Sequence, residues 1–136
     1  MIGVLIVTHG ELGTALLSTL QMIVGETEGI LSVPLLARDS GENLRLKIEK
    51  ALDELDPEGR GALILVDMLG GTPFNVGIQL ATERNVKVIT GVNLPMMVQV
   101  ISRREEADLE ALCLDIEKTT REGVVTSVEL LKKKKT

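Results

Sequence analysis

Two short, almost wholly apolar runs constrain the fold of this chain more than any other feature. Ile2–Val7 is apolar apart from Gly3, and Ala62–Val66 is apolar throughout. Such runs are typical of parallel strands that are buried on both faces of a sheet. Segments with apolar residues at helical spacing follow them, so the sequence predicts an α/β protein in which strands and helices alternate.

The alternation continues along the chain and predicts four strands in all. The two further strands are Ile30–Leu36 and Val86–Thr90. Strands joined through helices form parallel sheets with right-handed crossovers, and we expect the order 2-1-3-4 with helices on both faces. Asp39 and Glu42 are spaced as a capping box for the second helix, and Thr72 is placed as the N-cap of the third.

The C-terminal part predicts one further element and a tail. Val124–Leu131 has the pattern of a last short strand, and the lysine-rich residues 132–136 are expected to be a disordered tail. The 136 residues contain no low-complexity linker and no internal repeat. We therefore expect a single domain over residues 1–136.

Composition excludes several classes of function. The chain has one Phe and no Trp or Tyr, so it lacks the stacking platforms that bind single-stranded nucleic acid or sugar rings. Its net charge of −5 argues against binding a nucleic-acid backbone. Cys113 is the only cysteine, which excludes an intrachain disulfide and a cysteine metal cluster. We expect no metal and no cofactor.

The N-terminus indicates where the protein works. Met1 is followed directly by a strand pattern, without a basic region and a long apolar run, which argues against a signal peptide. No apolar run approaches the length needed to cross a bilayer. We expect a cytoplasmic protein.

The only histidine of the chain lies at the end of the first strand. In open parallel sheets the ligand site lies beyond the carboxyl ends of the strands, and His9 occupies that position. A neutral imidazole is a good nucleophile near neutral pH. A phosphoryl group bound to His9 would face the backbone N–H groups that open the first helix. By itself, a histidine at a strand end is more often structural, so a functional site here requires further residues.

Residues after the third strand supply those further groups. Asp67 ends that strand, and in the expected sheet order its carboxylate can reach His9, fix its tautomer and leave the other ring nitrogen free to attack. Gly70 and Gly71 permit close approach of the backbone to an oxyanion, as does Gly10 after the first strand, and Thr72 adds a hydroxyl donor. No nucleotide-binding motif is present, so the anion is expected to be the phosphoryl group itself.

Four segments together resemble a known family: Val7–Gly10, Leu65–Asn75, Thr90–Met96 and Arg121–Val124. In this order and spacing they look like the IIA component of the mannose family of the bacterial phosphoenolpyruvate:sugar phosphotransferase system (PTS). The resemblance implies that His9 is phosphorylated, that Asp67 orients it, and that Thr72 donates a hydrogen bond to the phosphoryl group where the family often has Ser.

The resemblance also implies partners. It predicts that His9 accepts the phosphoryl group from the phosphocarrier protein HPr and passes it to a histidine on a separate IIB protein. It further predicts a homodimer in which Val124–Leu131 is an antiparallel strand exchanged between subunits, with the membrane contacted only through a IIC/IID transporter. Apolar residues near the site are candidates for the HPr surface: Met22, Met68, Leu69 and Met96.

Two alternatives remain open at this point. The phosphotransfer subunit of dihydroxyacetone kinase has a similar fold and an early histidine, although the segments at 70–75 and 93–95 fit the mannose family better. A regulatory module, whose phosphorylation state is its output, is the other alternative. An aspartyl-phosphate receiver domain would need an acidic pair after the first strand, where this chain has Thr8 and His9. The sequence names no sugar.

Overall fold

The computed structural model describes residues 1–105 and 108–134. Strands and helices alternate along most of the chain, as the apolar runs predict. The strands are β1 Gly3–His9, β2 Ile30–Leu35, β3 Ala62–Val66 and β4 Val86–Ile89. The helices are α1 Leu12–Val24, α2 Gly41–Leu55, α3 Thr72–Glu83, α4 Leu94–Arg103, α5 Leu109–Glu122 and α6 Ser127–Lys134.

The four strands form one parallel sheet in the order β2-β1-β3-β4, which confirms the predicted order. The central strands β1 and β3 are buried along their lengths, apart from the exposed end of β1. Val7 pairs with Val33 on one side and with Val66 on the other. The carboxyl ends of β1 and β3 are therefore neighbours at one edge of the sheet, and the residues that follow them share that edge.

The sheet separates two apolar cores. Val4 and Ile6 of β1 face the core shared with α1, α4 and α5, whereas Leu5 and Val7 face the core shared with α2 and α3. This division follows from the two-residue period of a strand, which turns successive side chains to opposite faces. The same alternation determines which helix each polar residue at the end of β1 can reach.

Two helix starts differ from the sequence prediction. Ser40, and not Asp39, caps α2, because its hydroxyl accepts the Asn43 N–H at 3.1 Å. The Asp39 carboxylate instead accepts the Leu36 N–H at 2.8 Å and pairs with a lysine of α2 at 2.6 Å. At α3 the N-cap is Gly71, and Thr72 is the first helical residue. Each helix thus begins one residue from its predicted position.

The predicted last strand is wrong. Residues 127–134 form α6, and 124–126 precede it without regular structure. Leu and Lys, which favour helix, make up most of α6, and the Thr126 hydroxyl accepts the Glu129 N–H at 3.2 Å. Within the described part of this single chain, no strand pairs with the segment, so an exchanged strand is not observed. The helix continues through Lys134 where a disordered tail was expected; residues 135 and 136 lie outside the described residues.

No helix in the described ranges combines the length and the apolar character needed to cross a membrane.

Candidate functional site

His9 and Asp67 contact each other across the carboxyl ends of β1 and β3. The Nδ1 atom of His9 lies 2.8 Å from Oδ2 of Asp67. The backbone N–H of His9 donates to the same oxygen at 3.0 Å. The ring is 47% exposed, whereas the carboxylate is 12% exposed. The site therefore combines an accessible imidazole with a carboxylate that is largely shielded from water.

The hydrogen bonds of Asp67 determine its charge. Burial raises the pKa of the Asp67 carboxyl, but the hydrogen bonds from the His9 ring and backbone and the charge on the ring outweigh it, so the pKa is lowered from the ordinary value of 3.8. Its second oxygen accepts the N–H of Met68 at 3.1 Å. An ionised carboxylate can only accept hydrogen bonds, so Nδ1 of a neutral ring must carry the proton. The lone pair then lies on Nε2, the opposite ring nitrogen.

The free edge of the ring lies over Gly71, at the start of α3. A Cβ atom built on Gly71 would lie 2.7 Å from Cε1 and 3.3 Å from Nε2 of His9. The α3 N-terminus has no side-chain cap. Thr72 is its first residue and Pro73, which has no N–H, its second. Nε2 thus lies beside the N-cap residue of a helix that has no side-chain cap, and such a helix start favours an anion.

The N-terminus of α1 is arranged differently, although the sequence predicts that it faces the phosphoryl group. The side chain of Thr8 lies on the α1 side of the sheet, fully buried, and its hydroxyl accepts the Gly13 N–H at 2.8 Å. The N–H of Gly10 donates to the Leu35 carbonyl at 2.8 Å. Gly10 has a φ of +55°, which suits the turn that leads out of β1. One first-turn N–H of α1, that of Gly13, is therefore bound within the protein.

Most of the predicted site residues lie together. The ring of His9 is bound by Asp67 and lies beside Gly71, and Thr72 follows Gly71 directly. Gly70 has a φ of +85° and forms the turn before them. The roles predicted for these residues concern a phosphorylated state and stay predictions. Within the described ranges, no cluster of three His, Cys, Asp or Glu side chains could hold a metal ion.

The exposed apolar residues near His9 also differ from the prediction. Met68 and Leu69 are 55% and 71% exposed in the loop after β3, but Met96 is buried in the core. Met22 is exposed on the last turns of α1, far along the chain from the site. Leu12, which the sequence argument missed, is 49% exposed at the start of α1. The sequence feature that could have indicated Leu12 is its position, three residues after His9.

Comparison with known proteins identifies relatives of this chain. The family model described as the PTS system fructose IIA component matches residues 3–117. The fructose-specific EIIA component of Bacillus subtilis is 34% identical over 100% of this chain and 93% of its own length. The mannose-specific EIIAB component of Escherichia coli is 36% identical over 90% of this chain, which spans only 38% of that protein.

Solved structures agree in fold. The PTS component EIIA from Streptococcus agalactiae has a TM-score of 0.83 and 32% identity, covering 93% of this chain and 97% of that one. The mannose/sorbose-specific IIA subunit from Enterococcus faecalis has a TM-score of 0.84 and 26% identity, covering 92% of this chain and 93% of that one.

Proposed function

The chain belongs to the PTS IIA family of the mannose and fructose type, and we propose that it carries a phosphoryl group on Nε2 of His9. The family comprises phosphotransferases that serve sugar uptake, and this favours a PTS carrier over a dihydroxyacetone-kinase subunit or a purely regulatory module. In the proposed cycle His9 accepts the group from HPr and delivers it to a separate IIB protein. Both transfers take place in the cytoplasm.

One observation carries this proposal: the ring of His9 is bound at Nδ1, and in the described part of the chain Nε2 has no hydrogen-bond partner. The Nδ1 edge is held by Asp67 at 2.8 Å, and the Nε2 edge faces the uncapped start of α3. A nucleophile, a group that orients it and donors for the phosphoryl oxygens are all that a carrier needs.

The transfer requires no other reactant. The Nε2 lone pair attacks the phosphorus of the donor's phosphohistidine, a new N–P bond forms, and the old N–P bond breaks with its electron pair returning to the donor's ring. Positive charge develops on the His9 imidazole and is stabilised by the ionised Asp67. The phosphoryl oxygens face the N–H groups of α3 and the hydroxyl of Thr72. Transfer to IIB repeats these steps with His9 as the donor.

We assign the docking surface for both protein partners to three exposed apolar residues around His9. Leu12, Met68 and Leu69 follow the two strands that end at the site. A cluster of exposed large apolar side chains around a reactive nitrogen favours a protein partner, and contact with a partner excludes water during transfer. We expect Leu69→Ala to raise the KM for HPr, with Leu114→Ala, an equally drastic change at a 61% exposed residue of α5, as the control.

We further propose that two copies associate through the C-terminal surface. The residues of this surface are largely exposed apolar side chains, namely Val124, Val125, Val128, Leu130 and Leu131. They lie close in sequence to α5, which with β4 lines a cavity of about 430 Å³ that includes Val124. Sedimentation velocity tests this: Val128→Glu should shift the sedimentation coefficient to that of a monomer, and a wild-type monomer would contradict the proposal. The membrane is reached only through a IIC/IID transporter that IIB serves.

Phosphorylation with purified components tests the main proposal. Incubation with phosphoenolpyruvate, enzyme I and HPr should yield one acid-labile adduct on the wild-type protein. Because His9 is the only histidine, His9→Gln should give none, whereas Leu114→Ala should be labelled as the wild type is. Equal labelling of His9→Gln would contradict the proposal.

A further inference from the structure

The two consecutive glycines before α3 are required for different reasons. Gly70 has a φ of +85°, and a Cβ built on it meets nothing within 4 Å, so its backbone conformation is what requires glycine. Gly71 has a φ of −85° and a ψ of 173°, which any residue adopts. Its Cβ would instead lie 2.7 Å from Cε1 of His9, closer than real Cβ atoms come. Only the ring of His9 excludes a side chain there.

We propose that Gly71 is a positioning residue: the space left by its missing side chain holds the His9 ring with Nε2 directed at the start of α3. The inference rests on the proposed function, because orientation matters for a ring that receives a phosphoryl group. It adds a residue that acts through His9 and not on the phosphoryl group.

Asp67 alone does not fix the ring. A hydrogen bond at Nδ1 restrains one edge, but a ring that is 47% exposed can still tilt about that bond. Gly71 lies under the opposite edge, at Cε1 and Nε2. With both edges in contact, tilting toward α3 is blocked by the backbone and tilting away costs the hydrogen bond to Asp67. The backbone at Gly71 and the carboxylate of Asp67 together define one orientation of the His9 ring.

An added methyl group should therefore displace the ring. Relief of a 2.7 Å contact needs a shift of several tenths of an ångström or more, and the nearest escape is rotation away from α3. Displacement of a reacting atom by about 1 Å typically lowers a rate about 10²-fold. For Gly71→Ala we expect phosphoryl acceptance from HPr to slow about 10²-fold. Gly123→Ala is the matched control, because Gly123 has a φ of −80° and its Cβ would meet only two backbone oxygens, at 3.4 and 3.7 Å.

A spectroscopic measurement separates ring orientation from partner docking. Long-range ¹H–¹⁵N spectra of the unphosphorylated protein report the tautomer of the single histidine and the Nδ1 hydrogen bond. Wild type and Gly123→Ala should show a single Nδ1–H tautomer, whereas Gly71→Ala should show altered imidazole shifts. Unchanged imidazole shifts, or an unchanged transfer rate, in Gly71→Ala would overturn the proposal. These spectra need no phosphoryl donor, so they test whether Gly71 positions the ring even if His9 proved not to be phosphorylated.

A double variant keeps the test decisive if Gly71→Ala folds poorly. Replacement of His9 by Ala removes the ring that the new Cβ would meet. Gly71→Ala should then lower the Tm in the wild-type background and leave it almost unchanged in the His9→Ala background. An equal loss in both backgrounds would show that the backbone, and not the ring, requires glycine, and would overturn the proposal.

Discussion

The N-termini of α1 and α3 lie at the same edge of the sheet, one after β1 and one after β3. They differ in whether a side chain accepts a hydrogen bond from an N–H group of the first turn. At α1 the Gly13 N–H is bound by the buried hydroxyl of Thr8 at 2.8 Å. At α3 no side chain caps the first turn, and the ring of His9 lies over its N-cap, Gly71. The other described helices are capped by Ser40, Asn93, Asp108 and Thr126.

The difference indicates what each helix end contributes. A capped N-terminus satisfies N–H groups within the protein and stabilises the fold by about 1 kcal/mol. An uncapped N-terminus forgoes that stability and keeps its donors available for an anion. The two-residue period of β1 determines which side chain lies at each helix N-terminus, because it turns Thr8 to the α1 face and His9 to the α3 face. Adjacent residues thus serve stability and chemistry separately.

The largest expected effect comes from Asp67, the residue that binds Nδ1 of His9. Asp67→Asn keeps the size of the side chain but removes the charge that stabilises the developing positive ring. We expect phosphoryl acceptance to slow by about 10²–10³-fold, measured by rapid quench with phospho-HPr, while the circular dichroism spectrum stays unchanged. A rate within twofold of wild type would remove Asp67 from the mechanism.

The next effect tests the capped helix end. Thr8→Val keeps the shape of a fully buried side chain but leaves the Gly13 N–H without its acceptor. We expect the free energy of unfolding to fall by about 1–3 kcal/mol, measured by urea denaturation. Thr8→Ser should recover most of the loss. A Thr8→Val protein as stable as the wild type would show that the hydrogen bond between the Gly13 N–H and the Thr8 hydroxyl contributes nothing to the free energy of unfolding.

A smaller effect tests the open helix end. Thr72→Val removes a hydroxyl at the first residue of α3 but no backbone donor. We expect about a tenfold slower transfer, equivalent to about 1.4 kcal/mol in the barrier, with unfolding almost unaffected. This is the reverse of the Thr8→Val pattern. Loss of stability without loss of rate would contradict the division between the two helix ends.

The smallest effect concerns acid. The pKa of Asp67 is lowered in the folded protein by the hydrogen bonds with His9, against the opposing effect of burial. A lowered folded pKa contributes stability above the unfolded value of about 3.8 and loses it as the pH falls through the folded value. Denaturation at a series of pH values should show wild type and Asp67→Asn converging below that region. A difference that stays constant down to pH 2 would contradict this assignment.

The sheet and the central pair of the site follow directly from the sequence. Buried apolar runs specify β1 and β3, and the rule that ligands bind beyond strand ends brings His9 and Asp67 together. The sequence predicts phosphoryl contacts both at the start of α1 and at the residues around Thr72, and which helix the phosphoryl group contacts stays a prediction. The alternation of Thr8 and His9 on β1 places Thr8 on the α1 side of the sheet and His9 beside Gly71 at the start of α3.

Other differences arise from interactions that a local pattern does not contain. The ring contact that makes Gly71 necessary joins residues from two strand ends, and no spacing along the chain reports it. At α2, the Leu36 N–H binds Asp39 and leaves Ser40 to cap the helix. The segment at 124–131 contains β-branched residues, which strands favour, but a strand needs a partner to pair with, and helix formation satisfies the backbone within the segment itself.

The most direct test is to identify the phosphorylated nitrogen. The ¹⁵N-labelled protein, phosphorylated with phosphoenolpyruvate, enzyme I and HPr, is examined by long-range ¹H–¹⁵N correlation and by ³¹P NMR. We predict one phosphohistidine, with the phosphorus on Nε2 of His9 and a proton retained on Nδ1 beside Asp67. Phosphorus on Nδ1, or on any residue other than His9, would contradict the assignment of the α3 N-terminus as the phosphoryl site.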